Sequence, residues 1–168
     1  MLTHSEGTSK SLRTEIGNSI RGDSKLHQTS DGSSLVTRHE ENQTLKIDAT
    51  TTSRSTESMD REGNSINGDH SLMGQSESES SGVESQNNQN TRFFEITSKG
   101  TSKSFRQESG NSVKGDSRLH QTGEGTSFVT RHEENQTLII DAKSTSSSTE
   151  SMDREGNSIT GKYTLMGE

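Results

Sequence analysis

The sequence contains no cysteine, no proline and no tryptophan, and a single tyrosine, Tyr163. Without cysteine there is no disulfide staple, no thiol chemistry and no trace of a redox compartment. Proline is the residue that most effectively blocks strand pairing, so its absence leaves a chain rich in loop-forming residues open to long strands. Apolar residues make up 20% of the 168 and aromatics 3%. A chain this polar buries little apolar surface, and in an ordinary globule conformational entropy would outweigh that burial. No apolar run approaches the roughly 20 residues of a membrane-spanning helix. The net charge is −7, with no long run of either sign. The missing basic stripe argues against nucleic acid as a partner. The opening MLTHSEGTSK has neither the basic nor the apolar region of a signal peptide. The expected location is therefore cytoplasmic, or extracellular if the start has been processed.

Repetition is what the sequence has in abundance. Residues 7–75 align without a gap to 100–168, at an offset of 93, with 50 of 69 positions identical. A shorter motif, Gly-Asn-Ser-[Ile/Val]-x-Gly-x-x-x-Leu, begins at Gly17, Gly63, Gly110 and Gly156. The segment 76–99 is rich in Ser, Glu, Gln and Asn and reads as a polar, flexible linker. The expected organisation is a first β-repeat over 1–75, the linker over 76–99, and a second β-repeat over 100–168.

Period-two alternation runs through each motif. It puts Ile20, Gly22, Ser24 and Leu26 on one face, and Arg21, Asp23, Lys25 and His27 on the other. A helical reading of Leu12, Ile16 and Ile20 fails in the second copy, where Ser109 replaces Ile16. The predicted inward-facing set is Ile20, Leu26, Leu45, Ile47, Ile66 and Leu72, with the equivalents Val113, Leu119, Leu138, Ile140, Ile159 and Leu165. Gly17, Gly22, Gly63, Gly68, Gly110, Gly115, Gly156 and Gly161 are the predicted corners, where a strand turns. Order in so polar a chain points to repetitive β-stacking, in which each backbone group bonds to its neighbour and like side chains form ladders.

No constellation of chemical groups rises above this background. Gly17-Asn18-Ser19-Ile20-Arg21 lacks the closing glycine of a nucleophile elbow. Asp60-Arg61-Glu62-Gly63-Asn64 and its equivalent at Asp153 offer alternating oxygen ligands. A calcium loop needs Gly at its sixth position and Glu at its twelfth, and those hold Ser65 and Ser71 in one copy, Ser158 and Thr164 in the other. The pairs His27/His39 and His120/His132 are twelve residues apart, a spacing that fits no zinc motif. Stacked histidines would instead make assembly pH-sensitive. Asn42-Gln43-Thr44 and Asn135-Gln136-Thr137 satisfy the glycosylation sequon, a short pattern that arises by chance in Asn/Thr-rich sequence. Phosphate-cradling glycine motifs are absent. The expectation is a protein with no catalytic residue, no cofactor and no metal.

Two imperfect repeats joined by a polar segment resemble the fungal amyloid-signalling prion domains of the HET-s type. The similarity lies in Asn157-Ser158-Ile159-Thr160-Gly161 through Leu165-Met166-Gly167, and in Gly22-Asp23-Ser24-Lys25-Leu26-His27-Gln28. The repeats here span 69 residues, against about 21 in that family. The resemblance implies a β-solenoid fibril of stacked repeats and a prion-like signalling or templating role. Taken with the residue pattern, it gives an all-β expectation: a stacked cross-β fibril with two homologous layers per chain, residue n over residue n+93, and the chain itself as partner. A structural or extracellular-matrix filament and a disordered hydrophilin are the alternatives that composition leaves open.

Overall fold

Strand propensity in this chain comes from threonine and from Ser/polar alternation, and punctuation comes from asparagine and glycine. The computed structural model, which describes residues 1–88 and 92–168, follows that division. Eight strands form one open antiparallel sheet in sequential order. They are β1 (Leu2–Asn18), β2 (Asp23–Glu41), β3 (Lys46–Asn64), β4 (Asp69–Asn88), β5 (Arg92–Asn111), β6 (Asp116–Asn135), β7 (Ile139–Asn157) and β8 (Lys162–Gly167). A strand of 19 residues at about 3.3 Å per residue is about 60 Å long. No helix occurs among the described residues, so none is long and apolar enough to cross a membrane.

The all-β expectation is met, and the sheet is a single layer. Each 46- or 47-residue interval of the short motif is one hairpin, two strands wide. Residues n and n+93 therefore stand four strands apart in the same sheet, about 19 Å at the usual strand spacing. The two copies lie side by side.

Segment 76–99, expected to be a linker, is strand wherever it is described: 76–88 complete β4 and 92–99 open β5. Residues 89–91 of that segment lie outside the described residues. The physical reason is in its composition. Ser-Glu-Ser-Glu-Ser is itself a period-two pattern, and its two faces find different partners on β5. Ser76 and Ser78 meet Ser104 and Ser102 hydroxyl to hydroxyl at 2.8 and 2.9 Å. Glu77, on the opposite face, accepts an ion pair from Lys103 at 2.9 Å.

Among the described residues no apolar side chain is buried. A single layer has two wet faces, so the side chains expected to line dry interiors do not do so within one chain. Ile20, Ile66, Val113 and Ile159 are all largely exposed, and they sit in turns rather than in strands.

Candidate assembly surface

Three surfaces are available to a single-layer sheet: its turns, its faces and its edges. The turns are built by asparagine. At the first, the Ile20 and Arg21 amides donate to Asn18 Oδ1 at 3.0 and 3.1 Å, while the Gly22 amide donates to the Asn18 carbonyl at 2.7 Å. An asparagine side chain that mimics a backbone acceptor two residues on is the usual chemistry of such turns. Gly22, Gly68, Gly115 and Gly161 close the four turns at φ of 75°, 83°, 79° and 70°, the left-handed region that costs a side-chain-bearing residue. The other predicted corners, Gly17, Gly63, Gly110 and Gly156, are the next-to-last residues of β1, β3, β5 and β7. Leu45 and Leu138 lie at the opposite end of the sheet. There the amides of Thr44 and Leu45 donate to Asn42 Oδ1 at 2.9 Å, and Asn135 repeats the arrangement. Both sequon asparagines are thus turn-builders.

Successive motif turns also bond to one another. Asn64 Nδ2 donates to the Arg21 carbonyl at 3.0 Å and to Asp23 Oδ1 at 2.6 Å. Asn111 and Asn157 make the same two bonds to the turns before them. Amides of Ser65, Ser112 and Ser158 donate to the carbonyls of Gly22, Gly68 and Gly115 at 2.8–2.9 Å. The result is a column of four turns along one end of the sheet.

The two faces differ. One carries cross-strand histidine–aspartate pairs: His27 with Asp60, His39 with Asp48, His120 with Asp153 and His132 with Asp141. Hydrogen bonding to His39 and Lys46 holds the Asp48 carboxyl below its ordinary value, and Asp141 raises the His132 imidazole above its own. The opposite face carries a band of small side chains. Ser9, Gly32, Ser55, Ser78, Ser102, Gly125 and Ser148 succeed one another across seven strands. Farther along the same face, Leu26, Leu72, Leu119 and Leu165 lie toward the motif turns, in one row with Glu15, Arg61, Glu108 and Arg154, and Ile47 and Ile140 lie toward the far end. The predicted apolar set is therefore split between one face and the turns.

Among the described residues Glu133 is the one buried charged residue, 8% exposed, clamped by Arg92 and Arg131 at 2.6 Å each. Arg131 also lies over the Phe94 ring, 5.1 Å from its centre. Sequence reading missed this cluster. Its signal was the Arg92-Phe93-Phe94 run, the densest aromatic stretch in the chain.

No protein-family model and no curated protein matches the chain. Among the described residues no three His, Asp or Glu side chains converge as a metal would require. The histidine–aspartate pairs are cross-strand contacts on an open face.

Proposed function

We propose that this chain is a self-assembling structural protein whose sheets associate into homopolymeric cross-β fibres. The observation that carries the reading is the single-layer sheet, with no buried apolar side chain in the described residues and with both edge strands unpaired. A single layer buries its apolar side chains only by packing against another layer, and its free edges are templates for further strands. The Ser/Gly band supports face-to-face association. Small side chains let sheets approach closely and interdigitate, and the flanking Leu and Ile lose water when another sheet covers them. Stacked layers of repeats, as the HET-s resemblance implies, would arise in this way between chains. A templating role follows from the same fibre, since a free edge organises the next chain.

The test is electron microscopy, thioflavin binding and fibre diffraction of the purified protein. Fibres with a reflection at the ~4.7–4.8 Å strand spacing are expected. A chain that stays monomeric and protease-sensitive at high concentration would overturn the reading.

A further inference from the structure

The column of motif turns is built from knobs and seats. A Cβ placed on Gly22 would stand 2.8 Å from Ile66 Cγ1. On Gly68 it would stand 2.7 Å from Val113 Cγ2, and on Gly115 2.8 Å from Ile159 Cγ1. Each glycine is a seat for the apolar side chain of the following turn, and all three are buried. The column has an open place at each end. Among the described residues nothing lies within 4 Å of a Cβ placed on Gly161, which is exposed. Ile20 is 87% exposed and, among the described residues, no positive-φ glycine precedes it.

We propose that Gly161 and β8 of one chain receive Ile20 and β1 of a second copy of this chain, joining chains head to tail in the register that β4 and β5 hold within each. The proposal rests on the self-assembling reading above and adds its partner, surface and register. The offset of 93 makes β8 the equivalent of the start of β4, and β1 the equivalent of β5. Within the chain His70 opposes Gly110, Ser71 opposes Ser109, Leu72 opposes Glu108 and Gly74 opposes Arg106. Shifted by 93, the joint pairs Tyr163 with Gly17, Thr164 with Ile16, Leu165 with Glu15 and Gly167 with Arg13 of the second chain. The His70 ring already rests against Gly110, with Cε1 3.0 Å from where a Cβ would be. Tyr163 would cover Gly17 in the same way, an aromatic ring shielding an edge glycine. The Ser19 amide would donate to the Gly161 carbonyl, as Ser65, Ser112 and Ser158 do to theirs.

The joint also lacks one polar contact of the turns. Asp23, Asp69 and Asp116 each accept a bond from the asparagine of the next turn, and Lys162 stands at the fourth such place. The joint lacks that acceptor, so it is weaker than the contacts inside the chain. A contact repeated head to tail without closing generates a filament.

The chain has no native cysteine, so directed disulfides report the joint cleanly. Directly opposed residues of paired strands come close enough for a disulfide. Ile16→Cys chains mixed with Thr164→Cys chains are assembled and oxidised, with Leu12→Cys plus Thr164→Cys as the shifted control. The 16–164 disulfide is expected to dominate and the 12–164 disulfide to be absent. Ile20→Asp should abolish joining yet leave hydrogen-exchange protection within the chain unchanged, because Ile20 touches no seat of its own. Lys162→Asp should strengthen joining by roughly tenfold, as one restored charge-assisted bond. Fibres that form without the 16–164 disulfide, or with 16–16 disulfides in its place, overturn the joint and leave the fibre reading standing. A lack of fibres overturns both.

Discussion

His132 Nδ1 lies 2.7 Å from Asp141 Oδ1, across the β6–β7 ladder. The same geometry recurs in the first copy between His39 and Asp48, across β2 and β3. Asp141, with Glu134 and Glu95 nearby, raises the His132 pKa. Its contribution to stability is fully present below the ordinary histidine value and is lost as pH rises through the raised folded value. The Asp48 pKa is lowered, first by His39 and then by Lys46. Its contribution is present above the ordinary aspartate value and is lost as pH falls through the depressed one. Both contributions are present together between about pH 4 and about pH 6.5. Assembly should be favoured in that window and weaken above it. His132→Gln should flatten the alkaline side, as a pH series of critical concentrations would show.

The turn glycines should not be equivalent. Gly68→Ala faces a positive φ and also collides with Val113 Cγ2 and the Val113 amide nitrogen, at 2.7 and 2.8 Å. Gly161→Ala faces the positive φ alone. The left-handed conformation costs about 1–2 kcal/mol for a residue with a Cβ. In the unassembled chain Gly161→Ala should lose about that much at the β7–β8 turn, and Gly68→Ala more. Hydrogen exchange at the two turns gives the comparison; equal losses would contradict the seating of Val113 on Gly68.

Glu133 should matter more than any other acidic side chain in the sheet. Replacing it with Gln removes the charge from two short bonds to Arg92 and Arg131. Hydrogen bonds to charged groups contribute about 1.5–3 kcal/mol, and the change should loosen β5 against β6 by an amount of that order. Glu155→Gln, which breaks an exposed pair with Arg118, should cost little. Hydrogen exchange along the β5–β6 ladder compares the two.

Salt should speed assembly. Every chain brings a charge of −7 to the fibre. Raising ionic strength from about 0.01 M to 0.15 M shortens the screening length from about 30 Å to about 8 Å, which weakens repulsion between chains more than it weakens the short cross-strand pairs. Lag times in a salt series at constant pH should fall. A rise would mean that ion pairs, rather than backbone pairing, hold the chains together.

Alternation and the internal repeat made the all-β class and the 46- or 47-residue interval legible in the sequence, whereas the reading of short strands of about 4–8 residues wound into stacked layers gives way to long strands, one hairpin per interval. The turns were harder to read. Ile20, Ile66, Val113 and Ile159 fit an alternating face, yet the four residues Ser-[Ile/Val]-x-Gly that follow each strand-ending asparagine are themselves a complete loop. The asparagine supplies the acceptor for two amides and the glycine supplies the positive φ. Local turn chemistry outweighs alternation there, because a strand running through these residues would forfeit both bonds. The Ser/Gly band was hidden for another reason. It is assembled from seven strands, and no single stretch of chain contains it. Its visibility depends on register, which the Asn-led turns among the described residues help to set.

A meander in which every connection joins neighbouring strands has no long-range closure to complete. Each hairpin is held mainly by the hairpins beside it, so stability accumulates as a sum of nearest-neighbour terms. Such a sheet frays from its margins. The six residues of β8 release first, and the central ladder between β4 and β5 releases last. The same property makes the protein's width adjustable in steps. One more 46- or 47-residue unit would widen the sheet by about 10 Å, two strand spacings, and would leave every existing contact as it is.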